Sequence, residues 1–80
     1  MHYVYLIRSI NYPEQTYVGC TENVEQRLAC HNSGGSHHTK QYKPWKLVAS
    51  VCFDDTQKAV AFEKYLKSGS GRVFAKKRLW

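Results

Sequence analysis

The chain has 80 residues and a formal net charge of +6 at pH 7, enough for one small domain and too short for a tandem array of repeats. Hydrophobic residues at 42% and charged residues at 22% exclude a compositionally disordered chain. No apolar run approaches the roughly 20 residues of a membrane-spanning helix. The excess of Lys and Arg, 12 against 6 Asp and Glu, suits a nucleic-acid binder and a merely soluble basic domain equally well. The opening Met1-His2-Tyr3-Val4-Tyr5 lacks the pattern of a signal peptide, so the expected location is cytoplasmic.

Tyr3 to Arg8 is rich in β-branched and aromatic residues and reads as a strand. Tyr3, Tyr5 and Ile7 share one of its faces; Val4 and Leu6 share the other. Asn11-Tyr12-Pro13-Glu14 predicts a turn, and Thr16 to Cys20 a second strand that closes a hairpin. With the turn centred near Asn11, Tyr5 falls opposite Tyr17. Thr21 is the expected N-cap of a helix on which Val24, Leu28 and His31 line up at i, i+4, i+7, with Arg27 at the border of that face. Asn32 to Ser36 stops this helix, and His37-His38-Thr39-Lys40 continues as a polar, basic loop.

Trp45 to Phe53 is a third strand, and its run from Leu47 to Phe53, apolar on both faces, predicts a buried one. Asp54-Asp55-Thr56 can cap a second helix through Lys67. Ser68-Gly69-Ser70-Gly71 breaks it, and Arg72 to Trp80 forms a last short helix. Cys20, Cys30 and Cys52 contain no Cys-x-x-Cys pair, so neither a disulfide framework nor a zinc site is expected, and burial is the default for all three. No linker separates these pieces. The reading is one α+β domain over residues 1–80, in the order β-β-α-β-α(-α).

Two aromatic tripeptides, Tyr3-Val4-Tyr5 and Tyr17-Val18-Gly19, flank the turn; a helix with Arg27 and His31 follows, and a later helix carries Glu63. In this order they resemble the GIY-YIG nuclease family, named for its two tripeptides, over Tyr3 to about Leu66. The likeness is to the small single-domain bacterial members and to the N-terminal nuclease domain of excinuclease C. It implies a three-stranded antiparallel sheet flanked by helices, with the site on the sheet's face. It also implies hydrolysis of DNA phosphodiesters with one divalent metal ion, Mg2+ or Mn2+. Tyr5 matches the tyrosine of the first motif and Tyr17 the first tyrosine of the second. Arg27 and His31 match the functional pair on the first helix, and Glu63 the metal-binding carboxylate. The chain departs from the pattern at Tyr3, where glycine is usual, and at Cys20-Thr21, where excinuclease C has a lysine. Leu66-Lys67-Ser68 offers no counterpart to the family's late asparagine.

Elementary chemistry gives each of these residues a role and a plainer alternative. Phosphodiester hydrolysis needs a base for the water's proton and positive charge on the developing phosphorane. Arg27 forks onto phosphate oxygens, or pairs with Glu22, Glu25 or Glu14 on a solvated helix. His31, one turn from Arg27, orients Tyr5 or relays its proton, or is a hydrogen-bonded core histidine. Glu63 lies between Ala59 and Val60 on the rim of an apolar surface, where a carboxylate is paired, protonated or metal-bound. One carboxylate with waters is a normal way to hold Mg2+; the alternative is an ion pair with Lys67 or a contact with Arg27. We assign the general-base role to Tyr5 and a water- or phosphate-positioning role to Tyr17. The expected activity is metal-dependent cleavage of DNA. The alternatives are a catalytically silent nucleic-acid-binding module and a nuclease subunit that works with a protein partner; a homodimer also stays open.

Overall fold

Four consecutive residues, Val4, Tyr5, Leu6 and Ile7, are each at most 1% exposed. The computed structural model, which describes Met1–Trp80, is organised around the strand that holds them. This strand, β1 (His2–Ser9), lies between β2 (Thr16–Thr21) and β3 (Trp45–Phe53) in an antiparallel sheet of order β2-β1-β3. Alternation along β1 sends Val4 and Leu6 to one face, where they pack with Ala59 and Leu66 of α2 (Thr56–Lys67) and Ala75 of α3 (Gly69–Arg78). Tyr5 and Ile7 go to the other face, where they pack with Trp45 and with Val24 and Leu28 of α1 (Val24–Asn32). The result is the α+β class with a three-stranded antiparallel sheet flanked by helices, as the sequence implies. No helix is long and apolar enough to cross a membrane.

Several local expectations are corrected. The hairpin closes where Ser9 N–H bonds to Gln15 O at 3.0 Å and Gln15 N–H to Tyr12 O at 2.8 Å. Its centre therefore lies beyond Asn11, and Tyr5 falls opposite Gly19 rather than Tyr17, which pairs with Ile7. The third strand is an edge, not a buried strand: Lys46, Leu47, Ser50 and Cys52 are exposed. An apolar run states what a strand could bury, but β1 takes the central place between the helical layers. Cys52 is exposed and Cys20 and Cys30 are half-buried, so the default of burial fails for the cysteines. The N-cap of α1 is Asn23, whose Oδ1 accepts from Gln26 N–H at 3.0 Å; Thr21 Oγ1 instead accepts from Asn23 N–H at 3.2 Å. Asp55 caps α2 as expected, accepting from Gln57 N–H at 2.8 Å.

The break between the last two helices is confined to Ser68. Its Oγ accepts from Gly71 N–H at 3.2 Å, so α3 starts at Gly69 instead of Arg72. Gly71 is required by close approach, since a Cβ there would lie 1.6 Å from Tyr65 O. Gly71→Ala is expected to cost about 2 kcal/mol or more, because backbone must shift to admit the methyl group. Gly69, where a Cβ would meet no atom within 4 Å, should behave oppositely. Gly69→Ala should gain about 0.5 kcal/mol by restricting the unfolded chain. Thermal melts of the two variants check this: Tm should fall for the first and hold or rise for the second. Equal shifts would contradict the tight α2–α3 corner.

Candidate active site

Gly19 sets the geometry of the site. A Cβ at that position would lie 2.6 Å from Tyr5 Oη and 2.7 Å from its Cζ. Only glycine lets the Tyr5 ring lie over β2, so the third residue of Tyr17-Val18-Gly19 is explained by close approach of a side chain. The Tyr5 hydroxyl then reaches α1, with Oη 2.8 Å from His31 Nε2 and 3.4 Å from the Arg27 Nε–H that donates to it. The Tyr17 ring meets His31 edge-on at 5.1 Å and lies 6.2 Å from the Tyr5 ring. The structure thus brings Tyr5, Tyr17, Arg27 and His31 into one cluster drawn from β1, β2 and α1.

Thr39 also belongs to this cluster, and sequence reasoning missed it. It is 1% exposed, and its Oγ1 lies 2.7 Å from His31 Nδ1. Its own hydroxyl hydrogen is directed at Ser36 O, at a long 3.5 Å. The Thr39 oxygen therefore accepts the His31 Nδ1–H, which leaves Nε2 as the acceptor of the Tyr5 proton. The Trp45 indole N–H holds the loop in turn, donating to Thr39 O at 2.8 Å, and Asn32 Nδ2 donates to Trp45 O at 3.1 Å. The available signal was the buried histidine itself, which needs a second partner. Nothing local distinguishes Thr39 from its polar loop.

Burial pushes the Tyr5 phenol above its usual 10.0, with the Arg27 hydrogen bond opposing. Burial, reinforced by the Arg27 charge, holds His31 below its usual 6.5. At neutral pH the pair is therefore a neutral phenol bonded to a neutral imidazole.

Glu63 makes no hydrogen bond or ion pair with the cluster. Its Oε2 accepts from Lys67 Nζ at 3.0 Å across i, i+4, and the two side chains are 22% and 52% exposed. This is the Lys67 pairing that helical spacing allows. Arg27 has no carboxylate partner, since the ion pairs are Glu63–Lys67 and His2–Glu22. Lys67 Nζ also lies 6.0 Å from the centre of the Tyr17 ring, and Glu63 is the one carboxylate whose charge raises the Tyr5 phenol. No group of three His, Cys, Asp or Glu is gathered anywhere, which does not suit a soft, fully protein-ligated metal. A single partly exposed carboxylate in a weak ion pair fits a hard ion that keeps most of its waters, such as Mg2+.

A recess of about 270 Å3, lined by Thr21, Gln26, Arg27 and Cys30, opens beside the cluster. Wider recesses of about 570 and 680 Å3 are lined by Glu22 and Glu25 and by Asp54 and Asp55. They contain none of the clustered side chains, and their carboxylates repel a polyanion.

Residues 1–78 match the GIY-YIG catalytic domain. The chain belongs to the GIY-YIG nuclease family. It is 40% identical over 67 residues to a UPF0213 protein of Lactococcus lactis subsp. cremoris, covering 82% of this chain and 66% of that protein. It is 37% identical over 71 residues to the structure-specific endonuclease subunit SLX1 of Debaryomyces hansenii, covering 80% of this chain and 20% of that protein. The chain therefore spans just under two thirds of the first relative and a fifth of the second. A similar fold is that of the UPF0213 protein BH0048 from Bacillus halodurans, a solution NMR structure. Its TM-score is 0.56 and its identity 29%, with 95% of this chain and 82% of that chain covered.

The buried His31 makes stability pH-dependent in a stated direction. Its folded pKa is depressed, so below about 6.5 the unfolded chain binds more protons than the native one. The stability it contributes is complete above about 6.5 and is lost as pH falls toward the folded value. Thermal melts should show Tm dropping as pH is lowered from about 7 to about 5.5, and His31→Gln should flatten the drop. Thr39→Val, which orphans Nδ1–H, should cost about 1 to 3 kcal/mol at neutral pH. A wild-type Tm that stays level through this range would mean that His31 takes up its proton as readily in the fold as in the unfolded chain.

Proposed function

We propose that this protein is a divalent-metal-dependent DNA nuclease that hydrolyses phosphodiester bonds. Tyr5 and His31 form its proton relay, Arg27 clamps the phosphate, and Glu63 is the ligand of the cation. The observation that carries this reading is the double engagement of Tyr5 Oη, which donates to His31 at 2.8 Å and accepts from Arg27 at 3.4 Å. A packing tyrosine needs one partner for its hydroxyl. This one has a base behind it and a cation beside it.

The relay balances. As the water oxygen bonds to phosphorus, the water's proton passes to Tyr5 Oη and the phenol's own proton passes to His31 Nε2. The neutral phenol needs no prior ionisation, and the depressed His31 pKa keeps Nε2 open to receive the proton. The charge growing on the phosphorane offsets the placing of an imidazolium beside Arg27. Tyr17, facing both rings, positions the water or the phosphate. A cation held by Glu63 would supply further positive charge at the phosphate and the leaving oxygen. The likeness to a structure-specific endonuclease subunit supports DNA as the substrate, and its description as a subunit supports a second reading in which a protein partner completes the enzyme.

Single-turnover cleavage of labelled single-stranded, duplex, flap and junction DNA, with Mg2+, Mn2+ or EDTA, tests the proposal. Tyr5→Phe should slow cleavage about a hundredfold or more with DNA affinity unchanged. Glu63→Gln should bind DNA at least as tightly as the wild type and lose metal-stimulated cleavage. A stable Glu63→Gln variant that cuts at the wild-type rate would remove the cation site. Wild-type protein that binds but never cuts any of these substrates would leave the silent binding module in its place.

A further inference from the structure

A second recess, of about 380 Å3, adjoins the candidate active site. Thr16, Tyr17 and Val18 of β2 form one wall; Lys67, Arg72 and Trp80 are among the residues of the other. It shares Tyr17 and Lys67 with the border of the catalytic cluster. No Asp or Glu side chain lines it. Arg8 stands behind it, opposite Thr16 in the sheet, with its guanidinium 5.4 Å from the centre of the Trp80 ring. Arg8 Nε is buried without a hydrogen-bond partner, and neither Arg8 nor Arg72 has an ion-pair partner. A buried, unpartnered donor on a cation is costly, and an anion nearby lowers that cost.

The register of the sheet separates the charges. Pairing of His2 with Phe53 and of Tyr3 with Thr21 places Glu22, Asp54 and Asp55 at one end. Pairing of Arg8 with Thr16 places this cleft at the other end. The acids near the cleft are Glu14, exposed in the hairpin turn and in no ion pair, and Glu63, whose carboxylate is paired with Lys67 at 3.0 Å. Two accessible cations next to a partly exposed indole fit a chain of phosphates carrying planar bases better than a free phosphate, which has no use for the ring.

We propose that this cleft holds the DNA strand continuing from the scissile phosphate, with Arg72 and Lys67 on a neighbouring backbone phosphate and Trp80 against a base. The proposal rests on the nuclease reading, because that reading places the scissile phosphate beside Tyr17.

Fluorescence anisotropy of the full chain with short labelled DNA oligonucleotides, in EDTA and across a salt series, tests it. Single-turnover cleavage at saturating DNA is then measured with metal. Arg72→Gln should weaken binding about tenfold and lower the slope of log affinity against log salt by about one. Trp80→Ala should weaken binding about tenfold with the salt slope unchanged, since stacking releases no counterion. Cleavage rates at saturation should stay near wild type in both. Lys58→Gln, which removes a charge from the acidic end, is the control and should leave affinity nearly unchanged. Arg72 is exposed, so Arg72→Gln remains informative if Trp80→Ala melts early. If Arg72→Gln binds and responds to salt like wild type, or weakens binding no more than Lys58→Gln, the cleft is overturned while a wild type that binds and cuts keeps the nuclease reading intact. A wild type that does not bind DNA overturns both.

Discussion

A histidine with 0% exposure must have both ring nitrogens bonded, and in this protein that demand ties the whole α1 face together. His31 reaches Tyr5 on β1 through Nε2 and Thr39 through Nδ1. The Thr39 carbonyl takes the Trp45 indole at the start of β3, and Trp45 is gripped by Asn32, the neighbour of His31 on the same helix. The path returns to the element where it began. Leaving any buried member unpaired costs about 1 to 3 kcal/mol, against a total stability of about 5 to 15 for a typical domain. The contacts that aim the phenol are thus the contacts that fasten α1 and its loop to the sheet.

The opposite face of the sheet does different work. Val4 and Leu6 pack on Ala59, Leu66 and Ala75 in an apolar layer without polar bonding demands. This layer holds α2 against the sheet and so carries Glu63 and Lys67 to the β2 edge, where Lys67 lies over Tyr17. A rigid apolar half and a polar, hydrogen-bonded half meet at β2. The glycine in that strand lets a buried ring from one side come close to charged groups from the other.

Much of this was legible in the sequence, and the failures have physical reasons. Alternation along Tyr3 to Ile7 and the i, i+4, i+7 spacing of Val24, Leu28 and His31 report burial directly, and the structure follows them. The grouping of Tyr5, Tyr17, Arg27 and His31 was implied, with Glu63, by the family resemblance, and the Glu63–Lys67 pair was the alternative that helical spacing offered to a metal ligand. The hairpin register was not legible, because it depends on backbone bonds between Ser9 and Gln15 that no side-chain pattern encodes. An apolar run such as Leu47 to Phe53 cannot tell an edge from a centre, since that distinction lies in strand order. Thr39 was hidden because its role comes from an irregular loop, where spacing carries no geometry.

The seclusion of His31 has a consequence for turnover. Beyond its Nδ1 lies the Thr39 hydroxyl, and beyond that the Ser36 carbonyl, which cannot pass a proton onward. In the proposed relay, the proton taken up during hydrolysis is stored in a dead end and leaves only by retracing its way through Tyr5. The enzyme would then work as a latch: each cut sets it, and it is reset only when the new strand end has moved aside and solvent regains the phenol.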